Sequence, residues 1–298
     1  MRYVSIKNIL SACCALVVAL GVFGCASAPS APAASVASAP AGGEGNGSAI
    51  PVEVKFILDN KVLDANGRVN AEYVKAFSLA EPSSRIIVYV DTPDRAFFSA
   101  GWINRLREQG EKKDDCTYKR RYAVSDGNID AAVALAKSEG IDGNAGFEAE
   151  LDWSAEKVTL DYSKKIKIEP AAYPDFSVDS LASAVHILES AMPAEEADFA
   201  EKGWGTRLLK DSMLVGPVKS LQYKGKISDK KITLEVWIME NPKTHEVSRI
   251  TELSFGAKSY EQAAELRKTI CAHLSGLGVL EKKSVLKTSA VFDFFTGK

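Results

Sequence analysis

Basic pairs two residues apart occur in this 298-residue chain at Arg105 and Arg107, Lys119 and Arg121, and Lys165 and Lys167. Acids repeat at the same interval in Glu148, Glu150 and Asp152, and single acids occur at Glu53, Glu235 and Glu252. An interval of two puts side chains on one face of a β-strand. Guanidinium forks on such a face grip phosphate oxygens in pairs, and ammonium groups add point charge. Carboxylates nearby would repel the same anion unless they held a divalent cation. Mg²⁺ commonly takes one or two carboxylates plus phosphate oxygens. Cations and acids together therefore point to metal–phosphate chemistry more than to plain anion storage. The three histidines (His186, His245 and His273) show neither metal-ligand spacing nor a nucleophile pattern, which argues against a zinc site or a Ser-His-Asp hydrolase.

The elements that must carry these residues read as strands. Val52, Val54 and Phe56 alternate with Glu53 and Lys55. Phe147, Ala149, Leu151 and Trp153 alternate with the three acids, and Ile232, Leu234, Val236 and Ile238 with Lys231, Thr233, Glu235 and Trp237. The pattern predicts further strands at 86–90, 102–107, 116–122, 157–162, 164–168, 218–226 and 247–255. Helical spacing predicts helices at about 70–79, 128–138 and 178–192. A fourth starts at Ser259, with Gln262 three residues on as in a capping box. The stretch from Pro193 to Gly205 reads as a short helix or loop. An open sheet would simply turn the charged faces to water. A sheet closed on itself, helices outside, would line a bore with them. Unpaired charges in a dry bore would cost several kcal/mol each, so ions, water or ligand must fill it.

The motifs, in order, resemble the CYTH superfamily, the triphosphate tunnel metalloenzymes. PVEVKF resembles the family's opening E-x-E-x-K strand, and YVDTPD followed by GWINRLR its Asp-Thr-Pro turn and paired-arginine strand. TYKRRY resembles the next strand with its substrate-binding lysine; FEAELDW and TELSF resemble later strands with inward acids, and the Ser259 helix the one that follows. The resemblance spans most of residues 51–280. It implies an α+β fold, a closed or nearly closed antiparallel β-barrel with helices packed outside, that binds and often hydrolyses triphosphate-containing substrates with Mg²⁺ or Mn²⁺.

By this resemblance Arg105, Arg107, Lys119 and Arg121 bind phosphate, with Lys165 and Lys167 as further candidates. Glu53, Glu150 and Glu252 lead as metal ligands, followed by Asp152 and Glu235. Lys55 would assist an attacking water if cationic neighbours lowered its pKa. Asp91 to Asp94 is expected to be a structural turn, and Trp237 shares a face with Glu235. One departure stands out. The first glutamate of E-x-E-x-K falls on Pro51. A lost ligand bears on catalysis while leaving anion binding intact, and favours a non-catalytic anion-binding module. A structural lipoprotein of the cell envelope is the third reading.

The ends add an address. Ile9 to Phe23 is apolar but short for a membrane span, as in a signal-peptide core. VFGCAS resembles the lipobox of bacterial lipoproteins, with Cys25 as the acylated residue; ordinary signal-peptidase cleavage near Ala26 or Ala28 is the alternative. The following Ala/Pro/Ser/Gly-rich stretch, 26–49, reads as a disordered tether. The expected organisation is leader 1–25, tether 26–49 and one domain, 50–298, exported and held to a bacterial membrane by lipid. The partner would be a phosphate-rich small molecule or polyphosphate. With 37 basic and 39 acidic residues the net charge is −2, so no global attraction to nucleic acid arises. Cys116 and Cys271 are the two cysteines outside the leader and lipobox; they are too few and far apart for a disulfide framework, although an exported protein could pair them.

Overall fold

Alternating residues become nine strands because each apolar face has a partner to bury against. The structure, a computed structural model, describes residues 50–110, 113–155, 157–169, 173, 177–281 and 286–297. The leader, the lipobox Cys25 and the tether lie outside the described residues. The strands are β1 (Val52–Leu58), β2 (Ser83–Asp91), β3 (Trp102–Glu108), β4 (Asp115–Ala123), β5 (Glu148–Trp153), β6 (Val158–Lys167), β7 (Met213–Ile227), β8 (Lys230–Glu240) and β9 (Val247–Ala257). They close in the order β1-β5-β6-β4-β3-β2-β7-β8-β9, and β9 pairs back onto β1.

The barrel is closed as expected, and one seam departs from antiparallel pairing. β1 runs parallel to β5 through Val52–Leu151, Glu53–Asp152 and Val54–Trp153. Parallel neighbours need a long crossover, and the chain supplies one in β2, β3, β4 and the helix before β5. The predicted break near Ser163 is absent: β6 is one ten-residue strand.

Helices α1 (Ala71–Ala76), α2 (Ala96–Ser99), α3 (Ile129–Ser138), α4 (Leu181–Ala191), α5 (Ala194–Ala197), α6 (Trp204–Lys210), α7 (Tyr260–Gly276) and α8 (Lys287–Thr296) accompany the strands. Local chemistry starts several of them. Asn128, Ser180 and Ser259 each accept a backbone N–H with their side chains at the N-termini of α3, α4 and α7. At α7 the Gln262 side chain also reaches back, accepting from the Lys258 N–H at 2.8 Å. The Asp91 carboxylate accepts from the backbone N–H groups of Thr92, Phe97 and Phe98, so the Asp-Thr-Pro-Asp turn is a structural brace for α2. Gly101, with φ +82°, follows; a Cβ there would stand 2.1 Å from an Arg120 nitrogen.

Two apolar clusters divide the interior. The larger packs the outer strand faces, Val54, Leu106, Tyr118 and Leu253 among them, under helices such as α4 and α7. The smaller lies inside the barrel, where Ile87, Tyr89, Ile103, Val218, Trp237 and Ile250 meet Val291 and Phe292 of α8. The sequence pattern did not predict α8, which packs into this inner cluster beside Phe98 of α2. Its apolar burial is worth about 1.5–3 kcal/mol per large side chain. Arg95 fastens it from α2, donating to Asp293 at 2.7 Å and to Thr296 at 2.5 Å.

Candidate functional site

Strand parity places the charged residues on the inner wall. A cavity of about 410 Å³ is lined by Glu53, Lys55, Arg105, Arg107, Lys119, Arg121, Glu150, Asp152, Lys165, Glu235 and Glu252. Of the expected site residues in the described part, only Lys167 falls outside this lining. It stands at the rim with a half-exposed side chain, its ammonium 3.8 Å from Asp115.

Register shows how the wall is assembled. Arg107 faces Asp115, which faces Lys167; Arg105 faces Thr117, which faces Lys165. Lys119 faces Ser163, and Ser163 faces Glu148. Arg121 faces Asp161, and Asp161 faces Glu150. Apart from Asp115 on β4, Asp161 on β6 and Lys55 on β1, the basic residues stand on β2 (Arg85), β3, β4 and the end of β6, and the acids on β1, β5, β8 and β9.

Pairing distinguishes the cations. Asp161, fully buried, takes Lys119 at 2.7 Å and the Arg121 guanidinium at 2.8 and 2.7 Å. Burial alone would raise the Asp161 pKa, but these two cations hold it well below the usual carboxylate range. Asp115, equally buried, takes Arg107 at 2.8 Å and Lys165 at 3.2 Å. Burial and the neighbouring Arg105 push the Arg107 pKa down to about 10 against the pull of Asp115. Arg105 has no carboxylate partner among the described residues. Among the described residues its side chain makes one hydrogen bond, a 3.5 Å contact to Thr117 Oγ1, and its Nε is buried without an acceptor. A half-buried guanidinium short of acceptors can grip the oxygens of an anion.

The acids form two groups. Glu53, Glu150 and Asp152 can bring one oxygen each within 4.8 Å of one another. Three carboxylates from two adjacent strands suit a hard divalent cation. Glu150 has no ion-pair partner among the described residues; burial, then Glu53 and Asp152, raises its pKa to about 7. Lys55 bonds Asp152 closely and Glu53 at 2.9 Å. Burial would depress its pKa, yet Asp152, Glu53 and Glu252 raise it well above the ordinary value. The condition for Lys55 as a base was cationic neighbours. Its neighbours are anions, so it stays an ammonium and is corrected to a charge partner.

Glu235 and Glu252 stand apart from that trio. Glu235 accepts from Gln222 at 2.8 Å, Trp237 Nε1 at 3.2 Å and Lys287 at 2.8 Å, with Arg85 at 3.5 Å. Its pKa falls far below normal because Lys287 and Arg85 overcome the cost of burial. Lys287 also meets Glu252 at 2.7 Å. Glu235 has no oxygen to spare, which removes the reason to assign it to metal.

Asp115, Asp161, Arg85 and Lys287 were not among the residues expected from sequence. Asp161 shares the face of Lys165, but breaking the strand at Ser163 hid their common parity. Arg85 lay one residue before the expected start of a strand. Lys287 precedes Val291, Phe292, Phe294 and Phe295 at helical spacing, a signal short but present. Cys116 and Cys271 are both free thiols.

The fold is shared with solved structures. HpAC1 from Hippeastrum, a candidate adenylyl cyclase with a dominant triphosphatase activity, aligns at TM-score 0.50 with 12% identity, over 82% of this chain and 95% of that one. Candidate adenylate cyclases from Bacillus halodurans and Vibrio parahaemolyticus align at TM-score 0.38, with 12% and 13% identity. They cover 74% and 80% of this chain and 89% and 95% of theirs. The sequence matches no family model and no curated protein. At such identities the likeness to HpAC1 is one of fold alone, and in this chain that fold is a closed nine-stranded barrel.

Proposed function

We propose that the tunnel binds a triphosphate or polyphosphate and hydrolyses it with Mg²⁺ or Mn²⁺, in an exported protein anchored through acylated Cys25. The observation that carries this reading is Arg105, a half-buried guanidinium with no carboxylate partner among the described residues, set in the same bore as the Glu53–Glu150–Asp152 trio. The fold shared with a triphosphatase supports it. Outside the cytoplasm nucleoside triphosphates are scarce, which favours inorganic polyphosphate as substrate.

Arg105 and Arg107 would grip non-bridging oxygens, with Lys165 and Lys167 screening the anion at the rim. Lys119 and Arg121, already shared with Asp161, would hold that wall in shape and add field. Glu53, Glu150 and Asp152 would hold the ion, which when bound polarises the phosphoryl oxygens and makes water a better nucleophile. Hydrolysis forms a bond from water oxygen to the terminal phosphorus and breaks the bridging P–O bond. The arginines offset charge on the departing chain.

Pro51 supports a second reading, capture of the anion without turnover. Calorimetry of the mature protein with tripolyphosphate, with and without Mg²⁺ or Mn²⁺, followed by phosphate assays, separates them. Binding and release, both lost in Arg105→Ala, supports the enzyme. Binding without release supports capture, and no binding under any metal condition overturns both.

A further inference from the structure

Lys287 sits where an ion could have been. It opens α8, keeps 13% of its side chain exposed, and places Nζ 2.8 Å from Glu235 and 2.7 Å from Glu252. The same ammonium lies 4.4 Å from the Trp237 ring centroid, so the indole face adds to its cage. Ten residues of helix then run into the inner apolar cluster, with Val291 and Phe292 buried and Arg95 fastening the far end through Asp293. The lysine is therefore delivered by an element anchored along its length.

The two acid groups differ in what they lack. Both Glu235 and Glu252 are compensated, by Lys287 and, for Glu235, by Arg85 as well. In the other group Lys55 serves Glu53 and Asp152, Arg121 also meets Asp152 at 3.1 Å, and Glu150 has no ion-pair partner among the described residues, so three carboxylates share one ammonium and part of a guanidinium. A divalent ion gains most where negative charge is uncompensated, and it would have to displace a tethered ammonium from the first group.

We propose that Lys287 is a built-in cation for Glu235 and Glu252, so that the tunnel takes one divalent ion, at Glu53, Glu150 and Asp152. A second site, at Glu235 and Glu252, opens only when the lysine charge is removed. This rests on the metal-dependent reading of the tunnel. Lys287 would be the residue that sets metal stoichiometry.

The test counts Mn²⁺ bound to the full-length chain at pH 8 by calorimetry and by electron paramagnetic resonance of the free ion. One ion is expected in the wild type and in Lys287→Arg, and two in Lys287→Met. Lys287→Gln, which keeps a donor for Glu235, should also bind two and serves if the methionine variant does not fold. Mn²⁺ should raise the melting temperature of the neutral variants more than that of the wild type. Two ions in the wild type, or one in both folded neutral variants, would overturn the proposal while leaving the tunnel reading intact. No ion in the wild type would remove the metal-dependent reading itself, and this proposal with it.

Discussion

The two walls of the bore solve opposite problems. On the β2–β3–β4–β6 side, Asp115 and Asp161 neutralise most of the basic residues, and Arg105 is left over. On the β1–β5–β8–β9 side, Lys55 and Lys287 neutralise most of the acids, and Glu150 is left over. Two pairs cross between the walls, Arg85 with Glu235 and Arg121 with Asp152, while Arg105 and Glu150 have no ion-pair partner among the described residues. The difference shows that residue type alone does not mark a ligand group. What marks it is charge without an internal partner.

The largest effect should come from breaking the neutralised part of the basic wall. Asp161→Asn strands Lys119 and leaves Arg121 only its 3.1 Å pair with Asp152, and should cost about 3–5 kcal/mol of folding stability in denaturant titrations. Arg105→Ala removes the spare cation instead. It should weaken tripolyphosphate binding by about 1.5–3 kcal/mol with the melting temperature nearly unchanged. A matching loss of stability would place Arg105 in the scaffold and erase the contrast.

The acidic wall is sharpened by pH. The Glu150 pKa is raised from the ordinary 4.5 to about 7, so the folded protein holds this proton longer than the unfolded chain does. Stability from that group is full below about pH 4.5 and declines as pH rises through 7. An ion must displace the proton, so Mn²⁺ affinity should fall roughly tenfold per unit below pH 7 and level off above it. Glu150→Gln should flatten that profile. The smallest effect concerns the fastening of α8. Arg95→Ala loses a partly exposed pair with Asp293, and should lower stability by about 0.5–1 kcal/mol in thermal melts.

Period-two alternation carried most of the fold, because a strand with one face on helices and one on a bore obeys it strictly. Lys55, Arg105, Arg107, Glu150 and Asp152 were legible on that ground. Pairing was not. Whether Lys119 meets Asp161, or Glu235 meets Lys287 from 52 positions away, depends on which strands become neighbours. The parallel seam of β1 with β5 was hidden for the same reason, since it joins residues about a hundred apart. α8 escaped because ten residues at a chain end carry a weak periodic signal.

The helix inside the barrel also has a kinetic meaning. If α8, packed into the inner apolar cluster, closes that end, the bore is a blind channel. An anion that entered it would have to back out the same way, and so would what remained of it after the proposed cleavage. A long polyphosphate could not then be threaded through, and only its terminal groups would reach Arg105. Turnover in such a channel would be governed by how readily the shortened product reverses out, and the product would compete with the next chain at a single doorway.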